Sequence, residues 1–205
     1  MNLDGFRLLP GAISAAECRE LTEAALAAGR GAAPFTHYRT PTGAAMRVAM
    51  TSFGPYGWVS GPQGYRYQTH HPVTGASWTP APALLAEIWR RTTGRQDAPD
   101  SCLINFYTEA AKMGLHQDRD EQDLSAPVVS ISLGDTALFR LGGLKRTAPT
   151  SSFRLASGDV VVLGGEARLA FHGVDRILFG SSRLVPGGGR INLTLRRAMP
   201  SPLRT

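Results

Sequence analysis

The stretch Arg190-Ile191-Asn192-Leu193-Thr194-Leu195-Arg196 alternates polar and apolar residues without a break. Successive side chains of an extended strand point to opposite faces, so Ile191, Leu193 and Leu195 share one face while Arg190, Asn192, Thr194 and Arg196 share the other. The apolar face predicts packing inside a sandwich or barrel. Working backwards, short strand-like runs recur at Arg168 to His172, Asp159 to Leu163, Ala137 to Leu141, Val128 to Leu133 and Cys102 to Tyr107. Turn residues separate them, as in an antiparallel sandwich or barrel. The polar face of the last strand is either a solvated outer surface or the lining of a slot. Two forked arginines on one face suit a small dicarboxylate. Asn105 and Tyr107, one strand period apart, offer neutral donors to the same ligand.

The sequence before residue 101 reads differently. Ser14-Ala-Ala-Glu17 is a capping box, with the serine oxygen accepting from the N3 amide and the glutamate reaching back. It opens an alanine-rich helix carrying Cys18, Leu21, Ala25 and Ala28 on one face, which Gly29 is expected to close. Residues 36 to 79 are rich in Gly, Pro, Thr and Tyr and hold no helical period; they read as a strand-and-loop lid. Thr79-Pro80 reads as the start of a second helix, with Leu84, Leu85, Ile88 and Trp89 at core spacing and a stop near Gly94. The expected class is α+β in a single domain over 1–205: an N-terminal helix region (1–35), the lid (36–79), a packing helix (80–100) and a β-core (101–197).

Composition narrows the class further. The 205 residues carry a formal charge of +6, with 20 arginines and two lysines, Lys112 and Lys145. So lopsided a ratio fits either bidentate anion recognition or codon bias. Four of the 16 acids fall between Asp118 and Asp123, whereas six arginines and no acid follow Asp175, Arg204 being the last. A basic surface of that kind favours phosphate. No run approaches the roughly 20 apolar residues that span a bilayer, and the start shows no secretory signal. The two cysteines, Cys18 and Cys102, match no zinc or disulfide spacing. A cytoplasmic monomer without a membrane is expected.

The chemistry concentrates in Gly114-Leu-His116-Gln-Asp118-Arg-Asp120-Glu121-Gln-Asp123. In an extended segment His116 and Asp118 point the same way and present an imidazole and a carboxylate to one point. His172 is the best third ligand; His37, His70 and His71 fall in the lid. Two histidines and a carboxylate form the facial set of non-haem iron(II) oxygenases, with zinc hydrolysis the competitor. The His-x-Asp tripeptide alone is weak, being as easily an accident of a polar loop.

Together these residues resemble a known family. Leu103-Ile-Asn105-Phe-Tyr107, Leu115-His116-Gln-Asp118-Arg-Asp120-Glu121, Ala126-Pro-Val-Val-Ser-Ile-Ser-Leu-Gly134, Gly142-Gly-Leu-Lys-Arg146, Ser157-Gly-Asp-Val-Val-Val-Leu-Gly-Gly-Glu166 and Arg190 through Arg196 are similar to the bacterial AlkB alkylation-repair dioxygenases. The likeness extends upstream through Ala49-Met-Thr51, Gly57-Trp58 and Gln63-Gly-Tyr65-Arg66-Tyr67. It covers about residues 49 to 197 in order, and six blocks in register are hard to obtain by chance.

The resemblance implies a double-stranded β-helix (jelly-roll) core with a nucleotide-recognition lid. It also implies an Fe(2+) enzyme that uses 2-oxoglutarate and O2 as co-substrates. Hydroxylation of an N-alkyl group on a damaged base, such as 1-methyladenine or 3-methylcytosine, then releases an aldehyde and the repaired base. By position, His116, Asp118 and His172 match the catalytic iron ligands. Asn105, Phe106, Tyr107, Arg190, Asn192, Thr194 and Arg196 match the 2-oxoglutarate site. Trp58 matches the aromatic that stacks on the flipped base, Asp120 the reader of its exocyclic amine, and Arg146 a phosphate contact; Tyr65, Arg66 and Tyr67 fit a lid touching the nucleotide. Without the family, Trp58 reads as a core anchor, Asp120 as a solvated acid, Arg146 as a turn charge and the tyrosines as a plain hairpin. The implied partner is alkylated DNA, single-stranded, or RNA. Two residues depart from the pattern: Leu163 stands where tryptophan is expected, opening space beside the metal, and Phe106 where close relatives often carry arginine. The competing readings are a 2-oxoglutarate hydroxylase of a protein or small molecule and, more distantly, a non-catalytic nucleic-acid-binding module.

Overall fold

The computed structural model describes residues 3–200; Met1, Asn2 and residues 201–205, including Arg204, lie outside the described part. In chain order the elements are β1 (Phe6–Leu9), α1 (Ala15–Arg30), β2 (Ala49–Phe53), β3 (Gly57–Gly61), β4 (Gly64–Gln68), α2 (Ala83–Thr93), β5 (Ser101–Tyr107) and β6 (Met113–His116). There follow β7 (Val128–Gly134), β8 (Thr136–Leu141), β9 (Ser151–Leu155), β10 (Val160–Leu163), a 3-10 turn (Gly165–Leu169), β11 (His172–Leu178) and β12 (Arg190–Arg196). A six-stranded sheet, ordered β1-β10-β7-β12-β5-β2, faces a four-stranded sheet, β6-β11-β8-β9, and β3-β4 form a separate hairpin. The named strand pairs are antiparallel, and the architecture is the jelly roll expected from the sequence.

Register decides what faces the interior. β12 lies between β5 and β7, with Arg190 opposite Tyr107 and Gly134, Asn192 opposite Asn105 and Ser132, and Thr194 opposite Leu103 and Ser130. The intervening residues Ile191, Leu193 and Leu195 join Ile104, Ile131 and Val129 in a core cluster with Leu21 and Ala25 of α1 and Ile88 and Trp89 of α2. The helices therefore cover the outer face of the large sheet, each fully buried aliphatic contributing roughly 1.5–3 kcal/mol. The polar face of β12 points into the jelly roll. It is not a solvated surface: Arg190 is 1% exposed and Arg196 5%.

Some boundaries moved, each for a physical reason. The Ser14–Glu17 capping box forms in both directions, at 3.3 and 2.7 Å. Helix α1 nevertheless runs past Gly29 to Arg30. Gly29 is a packing glycine, because a Cβ there would lie 2.0 Å from the Phe35 ring. Helix α2 starts at Ala83, after Thr79 has made a parallel bridge to Phe53. Residues preceding proline avoid helical geometry, and both Pro80 and Pro82 impose that restriction on 79–82. The expected strand Arg168 to His172 is instead a 3-10 turn, after which β11 begins at His172. Strands β1 and β9 carry no strong alternation and were not expected.

Candidate active site

One cavity of about 920 Å³ opens inside the jelly roll, and His116, Asp118 and His172 line it together. His116 ends β6 and His172 begins β11, and the two residues are direct register partners across that strand pair. One ligand atom from each of the three side chains falls within 4.8 Å of the others. His116 Nε2 lies 3.7 Å from Asp118 Oδ1, and His172 Nε2 lies 3.8 Å from Asp118 Oδ2. Each imidazole donates its Nδ1–H to a backbone carbonyl, Gly114 and Ala170 respectively, both at 3.0 Å. This fixes the tautomer and leaves both Nε2 lone pairs turned toward the shared point, the usual support of a metal-binding histidine. Burial first, then His116, push His172 down to about 4 against the pull of Asp118, so its imidazole is neutral at pH 7. Burial alone would raise Asp118; Arg196, His172 and His116 outweigh it and hold the carboxyl below its ordinary range. Two imidazole nitrogens and one carboxylate on one side of a cavity suit a divalent cation and leave positions open for further ligands.

The two arginines of β12 are not equivalent. Arg196 Nη2 and Nε are paired with Asp118 Oδ2 at 2.9 and 3.3 Å, and Nε with Glu121 Oε1 at 3.1 Å. Burial opposes its charge, but Asp118, Tyr67 and Glu121 raise its pKa above the ordinary value. Arg190 faces no carboxylate. Its Nη2 donates to Ser132 Oγ at 2.9 Å, while Nε and Nη1 are buried without partners, and burial pushes the group down to about 10. A buried cation with a half-empty fork is the signature of a site for an anion. Arg196 Nη1 is a further buried donor without a partner, and beside it the amide oxygen of Asn105 is a buried acceptor without one. The donor set thus fits a dicarboxylate anchored at Arg190. Asn192 and Thr194 line the same cavity, but Asn192 donates to Ser130 and Ile131 and accepts from Thr194. They brace the wall from within the sheet.

Three expected site residues, Phe106, Arg66 and Tyr67, are not among those that line the cavity. Phe106 falls between Asn105 and Tyr107, so strand alternation turns it to the opposite face, where it stacks on Phe35 with centroids 5.5 Å apart. It does not line the cavity, and the resemblance assigned it by position along the strand, ignoring parity. Phe106→Ala is expected to cost about 2 kcal/mol in urea denaturation while leaving KM for 2-oxoglutarate unchanged. Arg66 pairs with Val59 on β3, on the face opposite Tyr65 and Tyr67, and like Tyr67 it does not line the cavity.

The hairpin reaches the acids of the metal loop. Trp58 and Tyr67 are cross-strand partners. Trp58 Nε1 donates to Asp120 Oδ2 at 2.8 Å, and Tyr67 Oη donates to Glu121 Oε1 at 2.5 Å. Tyr65 stacks on Trp58 with centroids 5.4 Å apart. Leu163 is buried and lines the cavity beside Val128 and Leu103. Arg146 lies 5.1 Å from the centroid of Phe171 at the cavity edge. Three other cations line the cavity: Arg119, inside the His116–Glu121 block, and Arg47 and Lys112, which stand in no legible motif. Arg168 and Glu121 were also missed. Arg168 is the first residue of the expected strand Arg168 to His172, and no local signal marks it for burial.

Residues 5–196 match the 2OG-Fe(II) oxygenase superfamily. The chain is 59% identical over 194 residues to an alpha-ketoglutarate-dependent dioxygenase AlkB homolog of Caulobacter vibrioides, spanning 95% of this chain and 88% of that one. It belongs to the bacterial AlkB family. A second relative, the alpha-ketoglutarate-dependent dioxygenase AlkB of Escherichia coli, is 46% identical over 169 residues, 80% of this chain and 78% of its own. Among solved structures, that of OsALKBH1 superposes with a TM-score of 0.79 at 32% identity, over 96% of this chain and 99% of the other. The AlkB-family chain is therefore an iron(II)- and 2-oxoglutarate-dependent dioxygenase, with O2 as the second co-substrate. Among the described residues, no helix is long and apolar enough to cross a membrane.

Proposed function

We propose that this dioxygenase removes N-alkyl groups from damaged bases such as 1-methyladenine and 3-methylcytosine in DNA, and in RNA where the same lesions occur. The observation that carries the reading is the convergence of Trp58, Tyr65 and Asp120 with His116, Asp118 and His172 on one cavity. In this reading His116, Asp118 and His172 hold the iron, and Arg190, with Asn105 and Tyr107 beside it, anchors the distal carboxylate of 2-oxoglutarate. When bound, the pair consumes dioxygen to hydroxylate the alkyl carbon, yielding succinate, carbon dioxide and a hemiaminal that breaks down to aldehyde and free base.

The remaining work falls to the chain's own groups. A base must leave its stack to reach the iron, and aromatic planes repay part of that cost at about 1–3 kcal/mol per base. The hairpin, as a lid over residues 36–79, supplies Trp58 and Tyr65 for this purpose, and Asp120 accepts from the exocyclic amine once released by Trp58. Arg47, Lys112, Arg119 and Arg146 at the cavity meet the flanking phosphates, which carry position rather than sequence. An unpaired base costs least to extract, which favours single-stranded substrate. A monomer acting in the cytoplasm suffices. Leu163, smaller than tryptophan, leaves room beside the metal for alkyl groups larger than methyl.

The deciding experiment incubates the protein with iron(II), 2-oxoglutarate and single-stranded DNA carrying 1-methyladenine or 3-methylcytosine. Unmodified base and one succinate per repair are expected. Succinate formation indifferent to the lesion, with no repaired base, would sink the proposal and favour hydroxylation of a protein or small molecule.

A further inference from the structure

Glu121 is a carboxylate buried to 2% side-chain exposure, three residues past Asp118 and outside the three-residue cation site. Three groups from three separate elements converge on it. Arg168, on the 3-10 turn, gives Nη2 to Oε2 at 2.9 Å; Arg196, at the end of β12, gives Nε to Oε1 at 3.1 Å; Tyr67, on β4, gives its hydroxyl to Oε1 at 2.5 Å. Arg168 is itself fixed, donating to the backbone carbonyls of Ala126 and Asp118 at 2.8 and 2.5 Å. The other end of the Arg196 fork grips Asp118 Oδ2.

The arrangement has a directional logic. A guanidinium offered to a single carboxylate collapses into a symmetrical fork-to-fork pair, which would tie up both oxygens of Asp118. With Glu121 drawing on Nε, Arg196 engages only Oδ2 of Asp118, and Oδ1 keeps its place near His116 Nε2. The charges also balance locally, two carboxylates against two guanidinium groups, so the cation site is not overshadowed by an unpaired arginine. We propose that Glu121 is a positioning residue for the metal centre: it orients and neutralises Arg196, which in turn presents Asp118, and Tyr67 ties that assembly to the β3-β4 hairpin. This rests on the assignment of Asp118 as an iron ligand.

The test uses no nucleic acid and no turnover. The full chain is titrated with 2-oxoglutarate and iron(II) under nitrogen, reading the visible charge-transfer band of the iron–2-oxoglutarate complex. Glu121→Gln, which preserves shape and can still accept from Tyr67, is expected to raise the half-saturating concentration by about tenfold, the loss of one charged hydrogen bond. Tyr67→Phe is expected to weaken the same titration by about twofold to fivefold, because it removes one donor from the carboxylate while both guanidinium groups stay in place. Adding it to Glu121→Gln should cost less than the product of the two separate losses, because both act through one side chain. If both variants titrate like wild type and Glu121→Gln raises only KM for the damaged oligonucleotide, Glu121 touches the base and the inference is overturned. Should Glu121→Gln not fold, Tyr67→Phe decides alone, an unchanged titration again overturning it. A wild-type chain with no band would overturn the ligand assignment and this inference together; a wild-type band insensitive to the variants overturns the inference alone.

Discussion

Alanine in place of His172 is expected to abolish repair and to remove metal-induced stabilisation in the same stroke. His172 opens β11 with its Nδ1–H held by the carbonyl of Ala170, and its Nε2 completes the three-atom group with His116 and Asp118. Loss of an outer partner of a metal ligand costs roughly 10–100-fold in affinity or activity, and loss of the ligand itself should exceed that. The thermal readout is independent of chemistry. A metal at a hundredfold its dissociation constant stabilises a protein by about 2.7 kcal/mol, worth roughly 5–10 °C in a chain of this size. Manganese(II), which does not turn over, should raise the Tm of wild type by that amount and leave His172→Ala unmoved. A variant that retained the thermal shift would show that the ligand set is misassigned.

Arg190→Met carries the second large effect, and its two parts have opposite signs. The residue is 1% exposed and forms no ion pair, so the fold without 2-oxoglutarate carries a buried cation that Tyr107 and Asp159 offset only in part. A cation whose folded pKa is pushed down from the ordinary arginine value, here to about 10 by burial, destabilises the fold at neutral pH. That penalty is present below pH 10 and is relieved as the pH rises through the folded value toward the unfolded one. Methionine fills similar space without charge, and urea denaturation should find the variant more stable by about 1–3 kcal/mol. In the enzyme assay it should raise KM for 2-oxoglutarate by about 10–100-fold, since a charged hydrogen bond is worth about 1.5–3 kcal/mol. A variant that gained no stability, or that bound 2-oxoglutarate as wild type does, would remove Arg190 from its proposed place.

What was legible in the sequence follows from strand parity. The alternation of Arg190 to Arg196 divided β12 into its polar and apolar faces, but the apolar face, expected inside the sandwich, is instead covered from outside by α1 and α2, and the polar face looks inward. His116, Asp118 and His172 could be nominated because a cation needs those side chains, although only tertiary pairing of β6 with β11 brings residues 116 and 172 together. Where a resemblance was carried across without checking parity, as at Phe106 and Arg66, the residue lies on the strand face turned away from its neighbours in the motif. Long-range partners were invisible: nothing local announces that Tyr67 will meet Glu121, or that Arg168 will be buried behind Asp118. Helix boundaries erred where a distant contact, Phe35 over Gly29 or Phe53 beside Thr79, overrode the local signal.

Strand β12 has one more implication. Its ends, six residues and roughly 20 Å apart, carry the anchor for one co-substrate and the guanidinium that holds the metal aspartate, and both belong to a single unbroken ladder between β5 and β7. A slip of one residue in that ladder would exchange every inward and outward side chain at once. Ile191, Leu193 and Leu195 would then fill the cavity while four polar residues met the helices. A misregistered molecule would lose the co-substrate anchor, the guanidinium behind Asp118 and the apolar seam under the helices together. Core and site therefore depend on the register of the same seven residues.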